Sequence, residues 1–446
     1  MTHAKMRPIR LISLFVVLVL IAAACSGTDT TTSAPDAGEA LDPTACNLAA
    51  PAEATTINYL GWSFAATEFY AAELQKCGET ENVEVDIQFL DFTAATDAVR
   101  LALATGNDSP YDIIHTTNPE VAEFGGAGWL LPLNDLIDKY SEEYNLDDIP
   151  QSAWDGATID GQIFGVPVIG DSQVIAYRSD LFAEAGIEVP KTYDEIIAAC
   201  ATFAGAEGID TPFVMDFSAG WAIEIEYLAA IRSFGGDYLA ADNSPTFNSP
   251  EGVTALTKMK EVNDACMGGA HLAYGYEAGE AGINNGTVVF TSIWATSMDS
   301  MSDPEQSEYS AEIKYAPAAA PLEGSLLGGT AWHNYYSIPA TTPNDVDLIF
   351  RAIMETADEQ SQTDGAAFGV VTRLSVTDGV PTLSAVNTTI DEGVGPYDNN
   401  PAIALVQVAL GETLPFVMTG EMTPQEALDA AAEAYIAEAT AQGFIS

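Results

Sequence analysis

The sequence predicts an α/β fold on a mostly parallel sheet, with enough chain for two domains. Short runs with the two-residue alternation of a half-buried strand are repeatedly followed, at close spacing, by runs with helical periodicity. About 400 residues follow a polar, low-complexity N-terminal stretch, which is more than one hydrophobic core usually serves. Thr56–Leu60 reads as a strand closed by a turn at Gly61, and ATEFYAAELQKC as the helix after it. VEVDIQF puts Val83, Val85, Ile87 and Phe89 on one face, the period of a strand. TDAVRLALATG is helical, and Gly106 suits its C-terminal cap because glycine adopts left-handed backbone without a Cβ penalty. YDIIHT is a strand, and PEVAEFGGAGWLLPL a helix and turn. GQIFGVPV and SQVIAYR are two strands in quick succession. YDEIIAACATFA, WAIEIEYLAAIRSF and SPEGVTALTKMKEV are helices, and GTVVFTSI is a strand. The last helix, TPQEALDAAAEAYIAEAT, opens with a capping Thr423 and with Pro424 at the first helical position, where a missing N–H costs nothing.

Ahead of these elements, Lys5, Arg7 and Arg10 precede an apolar run from Leu11 to Ala24 that is short for a bilayer span. That layout fits an export signal over residues 1–24. Ala22-Ala23-Ala24 before Cys25 resembles a bacterial lipoprotein lipobox, although Ala22 stands where leucine is usual. The resemblance makes Cys25 the lipidated residue and 25–55 a tether whose Ser, Thr, Gly and Pro keep it solvated. Export implies an oxidising compartment, so Cys46, Cys77, Cys200 and Cys266 are expected in two disulfides. Sequence order favours Cys46–Cys77 and Cys200–Cys266, with three pairings open, and the spacing is unlike a zinc site. No metal and no cofactor are expected. Against 65 acidic residues stand 14 basic ones, three of them before Cys25. A nucleic-acid partner needs a basic surface to release counterions and is excluded. Such acidity speaks to solubility and a salty habitat rather than to fold.

Five stretches occur in the order YDIIHTTNPEVAEFGGAGWLLPL, IFGVPVIGDSQVIAYRSDLFAEAGIEVPKTYDEI, NNGTVVFTSIWATSM, TRLSVTDG and MTGEMTPQEALDAAAE. In that order they resemble the extracellular solute-binding proteins of bacterial carbohydrate ABC importers, the group that includes maltose-binding proteins. The resemblance runs through nearly all of residues 56–441. It implies a two-lobed periplasmic-binding-protein type II fold with hinged lobes and a ligand cleft between them. Lobe 1 is expected over 56–168 and 322–368, and lobe 2 over 172–320 and 374–446. The crossings would lie at Gly165-Val166-Pro167 and near Val371. Expected partners are a carbohydrate or polyol, the ABC permease subunits, and the membrane through the lipid anchor. The chain is expected as a monomer on the outer face of the cytoplasmic membrane, at the cell surface or in the periplasm.

A sugar offers C–H patches and hydroxyls, so its site needs flat aromatic faces and polar forks. Turn segments at the expected strand ends carry that kit: Trp62 and Ser63; Thr116, Thr117, Asn118 and Glu120; Asp171 and Gln173; Trp221; Trp294; Trp332, His333 and Asn334; Arg373. Thr116, Asp171 and Trp294 fall where the maltose binders place an aromatic, a carboxylate and a second aromatic, and Thr116 departs by lacking a ring. Trp332 and His333 depart too, because many relatives have a glycine pair there. Both departures point to a ligand other than a long maltodextrin. Trp129 and Trp154 read as core, Arg178 as structural, and His115 and His271 as satisfied lone histidines.

Two alternatives stay open. One is a binder of the same fold for a non-carbohydrate solute. The other is a secreted glycosidase using a carboxylate pair such as Asp171 and Glu120. No G-x-S-x-G, HExxH or P-loop accompanies either carboxylate, so no enzyme is expected.

Overall fold

The computed structural model describes residues 45–268, 275–366, 368–377 and 383–445. Cys25, the apolar run before it and His271 lie outside the described residues. The strands of lobe 1 are β1 (Thr55–Trp62), β2 (Val83–Leu90), β3 (Ile113–Thr117) and β4 (Val166–Asp171). Lobe 2 holds β5 (Gln173–Arg178), β6 (Thr211–Val214), β7 (Val288–Trp294) and β8 (Ile313–Pro317), after which β9 (Trp332–Ser337) returns to lobe 1. The sheets run in the orders β2-β1-β3-β9-β4 and β8-β5-β7-β6.

Each sheet contains one strand running against the rest. β9 is antiparallel to both β3 and β4, and β5 to both β7 and β8, whereas β1–β2, β1–β3 and β6–β7 are parallel. These two strands are the ones the chain enters straight from the other lobe. A parallel neighbour needs a crossover back over the sheet, usually a helix, and a direct passage between sheets carries no such constraint.

The crossings differ from the expected positions. Val166 and Pro167 are already paired with β9, and a Cβ on Gly165 would lie 2.7 Å from the Tyr335 Cβ, so that glycine serves close packing. The chain changes lobes at Ser172, between β4 and β5. Leu327 and Ala331 still bridge to Gly393 and Pro396 of lobe 2, so the return to lobe 1 comes at Trp332. The third link leaves lobe 1 late. The Gly170 N–H donates to the Val370 carbonyl at 3.0 Å, and the Thr372 N–H to Gln362 Oε1 at 2.6 Å.

The helices that matter below are α1 (Ala65–Gln75), α2 (Phe92–Leu103), α3 (Asn118–Gly126), α4 (Tyr193–Phe203), α5 (Trp221–Ser233), α6 (Pro250–Cys266), α7 (Tyr276–Asn285), α8 (Val346–Thr356), α9 (Ser384–Glu392), α10 (Ile403–Thr413) and α11 (Pro424–Gln442). Their ends follow the sequence. Asp91 Oδ1 accepts the Ala94 N–H at the start of α2, and Thr423 and Glu426 form a reciprocal capping box on α11. Gly106 takes φ +66° just past α2. Lobe 1 is packed from Ile57, Tyr59, Ile113, Val168, Tyr336, Phe350 and Ile353, with Trp154 buried among them. Lobe 2 is packed from Phe213, Phe290, Tyr227, Leu228, Met259, Val406 and Leu428. A smaller cluster of Val174, Ile293, Val370, Val371 and Val386 sits where the linkers meet.

Cys46 bonds to Cys77 and Cys200 to Cys266, the pairing that sequence order favours. The first bridge brings the end of the expected tether onto lobe 1. There the Asn47 N–H donates to Glu355 Oε2 at 2.7 Å, and Leu48 is buried.

Candidate functional site

Asp171, Ser172 and Gln173 carry the chain from one sheet to the other, and the strand register gathers side chains around them. Trp332 pairs with Asp171 across β9–β4, and Trp294 with Gln173 across β7–β5. The Asp171 carboxylate accepts the N–H of Ser172 at 2.9 Å and the hydroxyl of Thr296 at 2.7 Å, so it ties the end of lobe 1's strand to lobe 2. Gln173 Oε1 accepts the Thr330 N–H at 3.0 Å, and its Nε2 is turned toward the Tyr276 hydroxyl without forming a hydrogen bond. Ser172 Oγ, Thr330 Oγ1, Trp294 Nε1 and His333 Nδ1 are likewise buried and unpartnered. Each such group costs about 1–3 kcal/mol if nothing meets it. Five of them gather around the Ser172 crossing, at the ends of β5, β7 and β9 and in the segment at Thr330.

Beside these groups runs a row of five rings. Tyr397 lies 5.1 Å edge-on from Trp332, Trp332 lies 5.9 Å from Trp294, and Trp294 lies 5.9 Å from Tyr276. Tyr276 in turn stacks on Trp221 at 5.7 Å and 25°. Trp221, at 43 % exposure, is the open end. Gly220 at φ +100° makes the turn that delivers Trp221 to the start of α5, and it packs so closely on Gly411 of α10 that a Cβ there would lie 2.6 Å from the Gly220 carbonyl. Tyr276 and Tyr397 were not among the residues the sequence singles out. Tyr276 opens α7 directly after a glycine, and Tyr397 lies in the irregular stretch GPYDNN, where no periodicity marks it.

On lobe 1, Trp62 lies flat on His115, with centroids 3.6 Å apart and planes 9° apart. His115 Nε2 is 2.9 Å from Asn334 Oδ1, and burial pushes the imidazole down to about 3, so it is neutral. Asn118 Oδ1 accepts the His333 N–H at 2.9 Å, which links this group to the crossover, and His333 too is held neutral by burial, at about 4. Other predicted residues are engaged locally. Thr116 Oγ1 meets Ser337 Oγ at 2.8 Å, Thr117 and Glu120 form the capping box of α3, and Ser63 bonds Glu68. Glu120 is thus tied to a helix end by its Oε2.

The structure does not bring Arg373 to the site. Its guanidinium is buried on lobe 1 and donates to the carbonyls of Ala357 at 2.8 Å, Tyr144 at 3.0 Å and Asn145 at 3.2 Å, with Asp148 at 3.7 Å. An arginine in a linker motif reads as a ligand fork in the sequence, but here it anchors the linker itself. Arg373→Met is expected to lower stability by about 3 kcal/mol, because it leaves the buried carbonyls of Ala357, Tyr144 and Asn145 without their donor and removes the counter-charge of Asp148. Solute affinity of the folded protein should be unchanged. Urea unfolding alongside calorimetric titration checks both.

Burial also raises several carboxyls, among them Asp171 and Glu224 to about 7 and Glu226 to about 8. An acid raised in the folded state favours folding while protonated, so it carries no penalty below its unfolded value near 4 and an increasing one as pH climbs through the folded value. Melting temperature should therefore fall by several degrees between pH 5 and pH 8, and Glu226→Gln should flatten that slope. An equal slope in the variant would contradict the assignment. Among the described residues, no group of three or more His, Cys, Asp or Glu is placed to hold a metal ion.

Against known proteins, residues 61–352 match the family described as bacterial extracellular solute-binding protein. An uncharacterized ABC transporter extracellular-binding protein of Pyrococcus horikoshii is 28% identical over 223 residues, 49% of this chain and 49% of that protein. The mannitol-binding protein of Pseudomonas aeruginosa is 26% identical over 149 residues, 33% of each chain. The chain thus spans about half the length, or less, of these curated relatives. An ABC transporter solute-binding protein from Agrobacterium radiobacter, solved with ribitol, has a TM-score of 0.77 at 20% identity, covering 86% of this chain and 99% of that one. That likeness is one of fold.

Proposed function

Because this chain belongs to the bacterial extracellular solute-binding protein family, we propose that it captures a sugar or polyol by hinge closure and delivers it to an ABC permease. The observation that carries this reading is the five-ring row beside five buried, unpartnered polar groups at the lobe crossover. Rings cover C–H patches, and the lone amide, indole, imidazole and hydroxyl groups meet hydroxyls. Charge argues against an anionic guest. Arg100, Arg178, Arg232, Arg351 and Arg373 are each paired with a carboxylate, so an anionic ligand would find no free guanidinium among them. The names of the mannitol- and ribitol-binding relatives agree with this class.

The binding set in this reading is Asp171, Gln173, Trp221, Tyr276, Trp294, Trp332, His333 and Tyr397, joined by Trp62 and Asn118. Cys25 carries the lipid, and the tether expected over 25–55, shortened by the attachment of Cys46 and Asn47 to lobe 1, lets a monomer swing between free solute and the transporter. No bond is broken in the bound solute.

A thermal-shift scan over sugars and polyols, including ribitol, D-mannitol and maltose, tests it. A ligand bound only by the folded state at 100 times its Kd adds about 2.7 kcal/mol of stability, so at least one member should raise the melting temperature clearly. Shifts with amino acids or organic cations alone would favour a non-carbohydrate solute. Cleavage of any oligosaccharide would end the non-enzymatic reading.

A further inference from the structure

One helix stands behind the aromatic row. α5 is buried on nearly all sides, and its two acids, Glu224 and Glu226, have no exposed surface. Two positions apart, they point about 200° from each other around the helix and reach different neighbours. Glu226 Oε1 accepts the Tyr276 hydroxyl at 2.8 Å, and Glu224 Oε1 accepts the Tyr397 hydroxyl at 3.0 Å. Tyr397 ends the row beside Trp332, Tyr276 sits between Trp294 and Trp221, and Trp221 is the first residue of α5 itself. The helix therefore sets three of the five rings.

Hydrophobic packing does not call for these carboxyls. Leucine or methionine would fill the same space without the cost of burying an acid. The Tyr238 hydroxyl bonds the Glu224 carbonyl, which any residue would offer, and Gln407 Nε2 reaches Glu224 Oε2 only at 3.4 Å. Glu226 Oε2 has no partner. What the two side chains supply that an apolar residue cannot is an acceptor for each phenol. Asp216, Tyr193 and Tyr276 are the titratable groups facing Glu226; Tyr238, Tyr397 and Asp398, itself paired with Arg232, face Glu224.

We propose that Glu224 and Glu226 are positioning residues for solute binding: neither touches the solute, and each holds one tyrosine of the row in the orientation that lines the cleft. Loss of either acceptor frees a ring and loosens its neighbours. The effect on affinity rests on the solute-binding reading above, whereas the effect on ring order does not.

The test uses the full chain with Glu224→Gln, Glu226→Gln, Glu224→Leu, Glu226→Leu, Tyr276→Phe and Tyr397→Phe. Near-ultraviolet circular dichroism reports ring order without ligand, and titration with ribitol, D-mannitol and maltose reports affinity. At pH 6 the glutamine variants should keep the wild-type spectrum and bind within about threefold of wild type, because an amide oxygen still accepts the phenol. The leucine and phenylalanine variants should lose a large part of the aromatic signal and bind about tenfold more weakly. Between pH 6 and pH 9 the wild-type spectrum should change as the buried carboxyls ionise, with Glu226→Gln removing the Tyr276 share of that change and shifting its midpoint, and Glu224→Gln removing the Tyr397 share. A purely structural role would lower melting temperature in all variants without this split. Leucine variants with the wild-type spectrum, or a Glu226→Gln protein with the wild-type pH midpoint, would overturn the proposal. Should a leucine variant fail to fold, the tyrosine and glutamine variants still decide. If none of the three solutes binds wild type, the functional reading fails while the spectra still judge the positioning.

Discussion

Trp294→Ala is expected to weaken solute binding by roughly 30-fold or more, the scale of a buried aromatic anchor worth at least about 2 kcal/mol. Trp294 touches three of the other four rings in the row: Trp221, Tyr276 and Trp332. It ends β7 in register with Gln173, so its position is set by the sheet. Alanine would remove the stacking face and also the support of its neighbours. The indole N–H is buried with no partner, so it is free to serve a ligand hydroxyl. Trp294→Phe should accordingly fall between, keeping a face but losing a donor, with an affinity loss of about five- to tenfold. Trp129, which packs on Phe124 in lobe 1, supplies the control, since Trp129→Phe should leave affinity unchanged. Calorimetric titration of the three variants against one bound sugar or polyol decides it, and a Trp294→Ala protein within threefold of wild type would remove the row from the binding site.

What the sequence made legible was the order of elements, because strand alternation and helix capping are local. Where the reading missed, the cause was a long-range contact. Gly61 looks like a turn, yet β1 runs on to Trp62 in register with Leu90. The glycine is there because a Cβ would overlap the Tyr59 hydroxyl. Gly165 and Pro167 look like a crossing and are interior packing, whereas Ser172, with nothing to mark it, is the crossing. Arg373 stands in a recognisable motif, but whether its guanidinium faces the cleft or the linker depends on Tyr144 and Ala357, far away in sequence. Glu224 and Glu226 did leave a signal. WAIEIEYLAAI has no polar face, so acids within it cannot all reach water. Tyr276 and Tyr397 left none, since an aromatic residue in an irregular segment is as compatible with a loop as with a site.

Replacing Cys200 and Cys266 together with alanine should lower the melting temperature by about 5 °C. The bridge spans 66 residues, and closing a loop of that size removes unfolded-chain entropy worth about 4 kcal/mol. Spread over a chain of some 400 ordered residues, that is a shift of a few degrees. The bridge joins α4 to the end of α6, both inside lobe 2, so the loss falls on a cooperative core. Cys46–Cys77 spans 31 residues and ties a terminal segment that is also held by Asn47 to Glu355 and by Arg351 to the Asn47 carbonyl. Its removal should cost less in melting temperature and show instead as faster proteolysis near residues 45–55. Cys77 and Cys200 are fully buried and Cys266 nearly so, so a reductant reaches them slowly while the protein is folded, and the paired substitutions are the cleaner comparison. Scanning calorimetry on both double variants, with limited proteolysis alongside, measures the difference. Equal melting shifts in the two, with unchanged cleavage, would show that the N-terminal segment unfolds together with lobe 1 rather than as a separable strap.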